Sequence, residues 1–433
     1  MRNRFFTTVE RLTRGLRQGE TLLCNLSAER SDFVRFNHAR VRQAGTVEQA
    51  YLTLRLVRDR RQASATVMLD GEDHDDALRS LRESLRDLPE DPWLLFNESP
   101  RPSESVRRGA LPAAQDIVDT VPGKSANLDF VGIYAGGTVM RGFANSLGQK
   151  NWHEIDSFNF DFSLHGEGDR AVKSGYAGFD WDRKVFLEKV ESSARQFSLL
   201  DLEPKAIAPG EYRAYLSPRA VSEMMTLLNW GGFSARAQKT RQSALLRMQE
   251  GARLSPKVTM RENTADGLSP AFQWDGFLKP AQVVLIDRGE LRNALVSPRS
   301  AKEYGLQPNG AGGSESASSL DIAGGTLEEK AVLEALGEGL YLSNLWYLNF
   351  SDRPAGRITG MTRFATFWVE GGRIVAPVGA MRFDDSIYRI FGENLVDLTT
   401  QRELMPDGST YGERSTASER LPGILLKSLR FTL

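Results

Sequence analysis

The chain has 433 residues, so length alone favours two or three domains with a substantial core. Hydrophobic residues make up 40% and charged residues 26%, ordinary for a soluble globular protein, and 55 Lys and Arg against 56 Asp and Glu exclude a global field that would draw it to DNA, RNA or anionic lipid. A single cysteine, Cys24, excludes an intramolecular disulfide and a Cys-rich metal site, and points to a reducing cytoplasm.

In chain order, the charged N-terminus lacks the continuous apolar stretch of a signal peptide, and its Phe5, Val9, Leu12 and Leu16 fall on one helical face. No run of about 18 apolar residues occurs, which argues against a membrane-spanning helix. Residues 21–70 read as a β meander, with Leu52, Leu54 and Leu56 alternating with Thr53 and Arg55 at the period of a half-buried strand. Asp75 and Asp76 open a helix striped by Leu78, Leu81, Leu85 and Leu88, and a Pro-rich exposed loop follows near 98–113. A second β-rich block runs from about 127 to 180, then a helix with Phe186, Val190, Ala194 and Phe197 on one face. The segment EPKAIAPG, 203–210, is the best boundary, which divides the chain into an α+β part, 1–205, and a β-rich part, 206–433.

Beyond that boundary, Ser217-Pro218 makes a helix start with a hydroxyl cap and a proline at the first helical position. Val221, Met224, Met225 and Leu228 form its apolar stripe, and Gly231-Gly232 stops it. VVLIDRGELRNALV reads as a hairpin turning at Arg288-Gly289, and Ser297-Pro298 opens a short helix closed by Gly305. GAGGSESASSLDIAGG reads as a flexible loop, and Thr326 to Glu329 as a capping box launching a helix. The remainder is mostly strand, with Gly371-Gly372 as a hairpin turn.

Sites are scarce. Of the four histidines, His153 stands beside Glu154, but a zinc motif needs a second His one helical turn later, and positions 157 and 158 are Ser and Phe in a strand-like alternation. A surface or turn role is the plainer reading, although His165 could complete a set if the fold brought it near. The glycines of YAGGTVMRG and of the Gly/Ser loop fit neither a P-loop nor a Rossmann frame, so a hairpin turn and a mobile loop are expected, the second able to gate or clasp a partner. Trp346, Tyr347, Phe350, Phe364, Phe367 and Trp368 are expected in the core and contacts of paired strands, since a nucleic-acid platform would want interleaved basic residues.

The order of segments carries more than any single motif. EYRAYLSPRA, the helix ending NWGG, the hairpin VVLIDRGELRNALVSPRSAKEYGL, the loop GAGGSE, the helix TLEEKAVLEALGEGLYL and the hairpin RITGMTRFATFWVEGGRIVAPV together resemble the C-terminal domain of the TldD/TldE (PmbA) peptidase family. RVRQAGTVEQAYLTLRLVRDRRQASATV is similar to that family's first domain, so the resemblance spans nearly the whole chain. It implies an α+β, two-domain fold with a β-rich C-terminal domain of the TldD/PmbA type.

In the family's catalytic member, HExxxH on the first helix of this domain supplies two metal ligands and a Glu that activates water, and a late Cys adds a ligand. Matching the glycine that follows places Met225, Thr226 and Trp230 where His, Glu and His would stand, and no His lies beyond 165 to repair the register. Met, Thr and Trp do not ligate zinc with adequate strength. The resemblance therefore implies a TldE-like, non-catalytic subunit without its own metal. Its expected partner is a zinc-bearing TldD-type subunit, and the heterodimer would cut unfolded peptides without nucleic acid or membrane. Met225, Asn229, Trp230, Gly231 and Gly232 are the expected lining of a vestigial cleft. Two other readings stand: an independent hydrolase using His153, Glu154 and His165, and a homodimer that binds peptides without cutting them.

Overall fold

The computed structural model describes residues 1–125 and 128–432, and it folds as α+β with two large sheets. The first seven strands are β1 (Thr21–Asn37), β2 (Arg40–Arg58), β3 (Arg61–Met68), β4 (Ser103–Arg107), β5 (Asp129–Asn145), β6 (Lys150–His165) and β7 (Ala171–Gly178). They form one sheet in the order β3-β2-β1-β5-β6. The far edge of β6 is shared end to end, by β4 in parallel from Asn151 to Ile155 and by β7 in antiparallel from Phe158 to His165. The leucines at 52, 54 and 56 point inward and meet Leu22, Leu26 and the buried Cys24, under α1 (Arg2–Arg14) and α2 (His74–Ser84). Phe5, Val9 and Leu12 supply the α1 stripe, as its helical spacing requires. A second core, dominated by Phe36, Phe130, Phe158, Phe160 and Phe162, lies beneath α3 (Ala114–Ser125) and α4 (Arg183–Leu199).

Two local expectations need correction. The Pro-rich loop contains β4, because its Ser-Glu-Ser-Val-Arg run finds a free edge on β6. YAGGTVMRG is no turn: it lies in the middle of β5, paired on both sides. Its Gly137 has φ +152°, and a Cβ there would lie 2.1 Å from the carbonyl oxygen of Arg30, so the glycine serves close strand approach. The start of this block near 127 lies outside the described residues.

The second sheet holds β8 (Gly210–Leu216), β9 (Met260–Glu262), β10 (Val283–Asp287), β11 (Glu290–Leu291), β12 (Ser319–Ile322), β13 (Gly339–Asp352), β14 (Arg357–Glu370), β15 (Arg373–Pro377), β16 (Arg382–Ser386), β17 (Leu395–Pro406) and β18 (Ser418–Phe431). Its order is β11-β10-β9-β12-β18-β16-β14-β13-β8, and β18 also pairs with β8. Five strands therefore close on themselves. Against β13 and β18 packs α5 (Pro218–Asn229), whose Val221, Met224, Met225 and Leu228 enter the same core as Leu342, Leu345, Ile424 and Leu426. The hairpin turns are as expected: Arg288 and Gly289, and Gly371 and Gly372, all carry positive φ.

Short helices α6 (Ala235–Lys239), α7 (Leu246–Gln249), α8 (Pro298–Tyr304) and α9 (Val332–Leu336) fill the connections. The expected capping box is not formed. The Thr326 hydroxyl goes to Asp397 at 2.5 Å, and helical structure begins only at Glu329, without a side-chain cap. Among the described residues no helix is long and apolar enough to cross a membrane.

The two sheets are joined by buried and half-buried polar contacts. His153 on β6 donates from Nε2 to the carbonyl oxygen of Leu268 at 2.9 Å, Arg55 meets Asp275 at 2.6 Å, and Gln149 donates to the Gly276 carbonyl at 2.6 Å. Arg414, in the segment between β17 and β18, passes its guanidinium into the first sheet beside Gly137.

Candidate functional site

Helix α5 is built as its sequence dictates. The Ser217 hydroxyl accepts from the Ala220 backbone N–H and donates to the Ser343 carbonyl at 2.6 Å, Pro218 takes the first turn, and Gly231, at φ +86°, follows the end. The stripe of one face is wholly buried, and Ser222, Glu223, Thr226, Asn229 and Trp230 emerge on the other.

That geometry separates the three residues that the resemblance sets in the HExxxH frame. Met225 has no exposed surface and belongs to the core, so it lines no cleft, against expectation. Its apolar neighbours on both sides of the helix made burial the cheaper solution than solvent contact. Thr226 is exposed, and Trp230 projects outward beneath the guanidinium of Arg353, 4.3 Å from the ring centre. Asn229 and Gly231 are half-buried and Gly232 is buried. Asn229 is fully occupied in holding the Gly/Ser loop: its Nδ2 donates to the Ala317 carbonyl at 2.9 Å and its Oδ1 accepts from the Ala317 N–H at 2.7 Å. A thioether in the core, a hydroxyl and an indole do not fit a zinc ion, and among the described residues no cluster of three His, Cys, Asp or Glu could hold one.

The alternative set of His153, Glu154 and His165 is also not assembled. All three lie on β6, where 153 and 154 face opposite sides, and the 12 residues from 153 to 165 span about 40 Å of extended strand. His153 is buried in the contact between the sheets, not at the surface or in a turn, and burial depresses it to about 4, which keeps the ring neutral. Glu154 is taken by Arg108 at 2.6 Å, and His165 meets the Ser163 hydroxyl at 2.8 Å.

The Gly/Ser loop holds a residue that sequence reasoning passed over. Glu315 is buried at φ +54°, and its carboxylate accepts from Ser234 Oγ at 2.5 Å and the Arg236 N–H at 2.9 Å on one oxygen, and from the Ser297 hydroxyl and N–H, both at 2.8 Å, on the other. The loop expected to be flexible is thus fastened to the starts of α6 and α8 and to the end of α5.

Two cavities lie between the sheets, and neither is lined by the five expected residues. One, of about 790 Å³, opens between β7, α4 and the start of α5, with Tyr215 and Tyr341 in its wall and Arg219 bridging Asp161 at 3.2 Å and Glu403 at 3.5 Å. The other, of about 480 Å³, is walled by Arg141, Trp274, Lys279, Ser318 and Glu413. Burial pulls the Lys279 ammonium below its usual range, opposed by Glu262 3.7 Å away. No sequence signal marks these cavities, since their walls come from segments far apart in the chain.

On the outer face of α5, Ser222 donates to Glu419 Oε2 at 2.6 Å. Burial raises Glu419 to about 7; the Ser222 hydrogen bond opposes the shift and nearby Glu223 adds to it. A carboxyl raised in the folded state holds its proton where the unfolded chain releases it. Its contribution is therefore complete below the ordinary glutamate range and is lost as pH rises through about 7. Glu419→Gln should abolish that part of the pH dependence and be more stable than wild type at pH 8 by about 1–3 kcal/mol. Thermal unfolding from pH 5 to 8 measures it, and parallel curves for the two proteins would reject it.

The family model described as PmbA/TldA metallopeptidase C-terminal domain matches residues 209–433. No curated protein matches. Among solved structures, TldE from Thermococcus kodakarensis is 16% identical with a TM-score of 0.80, covering 99% of this chain and 100% of its own. A protein from Thermotoga maritima, described as a candidate modulator of a DNA gyrase, is 13% identical at TM-score 0.79, with 99% and 100% covered. A similarly described protein from Bacteroides thetaiotaomicron is 15% identical at 0.77, with 99% and 98% covered. At these identities the structures establish a shared fold along the whole chain.

Proposed function

This chain belongs to the PmbA/TldA metallopeptidase family, and we propose that it is a TldE-like, non-catalytic subunit of a heterodimeric peptidase in the cytoplasm. The observation that carries this reading is the helix α5 frame. The helix, its hydroxyl cap and its glycine stop are present, Met225 sits in the core, and Met225, Thr226 and Trp230, the residues that the resemblance sets at the ligand positions, supply no side chain suited to zinc. Bond cleavage would then come from a zinc-bearing TldD-type partner, whose metal would supply Lewis-acid chemistry for hydrolysis. This chain would supply walls and strand edges that admit extended, unfolded peptides and reject folded proteins on steric grounds. Its near-zero net charge offers no counterion-release drive for nucleic acid.

Metal analysis and peptidase assays on the purified chain, alone and mixed with a HExxxH-bearing subunit from the same organism, test the proposal. The expected result is no stoichiometric zinc and no cleavage alone, and chelator-sensitive cleavage by the mixture. Stoichiometric zinc on the lone chain, or cleavage by it, would overturn the reading.

A further inference from the structure

The smaller cavity between the sheets, of about 480 Å³, is walled by hydrogen-bond donors that the protein itself does not use. Lys279 stands in that wall with a side chain only 10% exposed. An ammonium carries three N–H groups. Among the described residues its acceptor within hydrogen-bond reach is the Ser318 hydroxyl at 2.6 Å, and the nearest carboxylate oxygen, Glu262 Oε1, lies at 3.7 Å. Even with Glu262 counted as a partner, one N–H of this lysine is left over. Glu262 itself is already served by the Ser318 hydroxyl at 3.1 Å and the Ser319 N–H at 3.0 Å.

The Gly/Ser loop supplies further donors. Gly312, Gly313 and Ser314 line the same cavity, and among the described residues none of their backbone N–H groups meets an acceptor. No atom lies within 4 Å of where a Cβ would stand on Gly312 or Gly313, so this backbone is open to close approach. Free consecutive N–H groups together with an ammonium suit an anion that offers more than one oxygen. The other charged groups in the wall answer each other. Glu413 accepts from the Ser27 hydroxyl and lies 3.7 Å from Arg141, whose guanidinium also donates to the carbonyls of Met140 and Arg414. The donor surplus therefore rests on Lys279 and the loop. The Trp274 indole, 54% exposed, adds an apolar face to the same cavity.

We propose that this cavity is a carboxylate-binding site, in which Lys279 and the backbone of residues 312–314 hold the C-terminal carboxylate of an extended peptide. The choice of a peptide end rests on the peptide-processing reading above. The position of the site agrees with it. Asn229, at the end of α5, holds Ala317, and the next residue, Ser318, is the one that meets Lys279. An arriving carboxylate also offsets the burial that draws the Lys279 ammonium below its usual range. A small free acid offers the same oxygens but no side chain for the indole, so it binds more weakly.

The test is calorimetry on the full chain alone, titrated with a short N-acetylated alanine peptide, with the same peptide as its C-terminal amide, and with acetate. The free-acid peptide should bind about tenfold more tightly than either of the others, the scale of one charge-assisted contact. Lys279→Gln should abolish that preference, and an unaltered melting temperature establishes that the variant folds. A measurement on the wild-type chain stands beside it: the free-acid peptide should shield Lys279 from reductive methylation, read by mass spectrometry, and leave the exposed Lys184 unshielded. Equal affinity for the acid and the amide, or unshielded Lys279, would overturn the site. Acetate as tight as the peptide would keep the carboxylate site and reject the peptide end as its occupant. No zinc-bearing subunit enters these measurements, so their failure leaves the heterodimer reading intact, whereas a mixture without chelator-sensitive cleavage sinks that reading and not the site.

Discussion

Glu315→Ala should unfold with roughly 3–5 kcal/mol less stability than wild type, the scale for removing one member of a buried charged network. The side chain is 1% exposed and accepts four hydrogen bonds, two from Ser234 and Arg236 and two from Ser297. Alanine removes the acceptor that those donors share, and each buried polar group left without a partner costs about 1–3 kcal/mol. It also frees the loop that Asn229 holds at Ala317, so the end of α5 loosens. Glu315→Gln keeps one acceptor oxygen and should lose about half as much. Burial pushes the carboxyl upward, but the Ser234 hydroxyl, the Arg236 and Ser297 N–H groups and Ser300 together hold it below the ordinary carboxylate range. Its contribution is accordingly complete at neutral pH and is lost as pH falls through that lowered value. Urea unfolding at pH 7 provides the measurement, and a loss under about 1 kcal/mol in the alanine variant would show that the loop does not depend on this carboxylate.

Arg414→Met should cost a similar 3–5 kcal/mol and loosen the contact between the two sheets. The guanidinium is buried in the first sheet, where it donates to the Ser157 carbonyl and hydroxyl, both at 2.9 Å, and to the Gly137 carbonyl at 3.2 Å. Its own carbonyl accepts from Arg141 at 2.9 Å, and its N–H donates to the buried carboxylate of Glu29 at 3.4 Å. Methionine fills the space but leaves the oxygens of Ser157 and Gly137 without their donor and removes the positive charge near Glu29, whose bonds from Ser31, Gln49 and the 414 backbone N–H remain. Lysine restores the charge without the planar fork, so Arg414→Lys should recover only part of the loss. Hydrogen exchange should show β5 and the segment around 407–417 opening together in the methionine variant. Exchange confined to the C-terminal segment would mean that the sheet does not rely on this anchor.

Much of this was open to reading from the residues. The α1 and α5 stripes, the Ser-Pro helix starts, the positive-φ hairpin turns at Arg288-Gly289 and Gly371-Gly372, and the β-rich character of both halves follow from local periodicity and backbone preference. Local rules failed where a distant segment supplied the partner. Thr326 could cap a helix but found Asp397, and the Gly/Ser loop is composed like a mobile segment yet one glutamate in it meets two serines from other helices. Gly136-Gly137 looks like a turn until Arg30 and Arg414 are seen to approach it.

By itself, the order of residues determined the α+β class and the start, apolar stripe and glycine stop of α5, because helix caps and strand alternation depend on side chains within a few positions. It also carried the family resemblance that the domain match at 209–433 supports. Only the tertiary structure decided that Met225 is core, that His153 and His165 lie at opposite ends of one strand, and that Trp346 and Tyr347 face solvent. Those outcomes depend on which strands pair, in what register and with which bulges. That is settled by burial and hydrogen bonding across hundreds of residues, so no local window contains it.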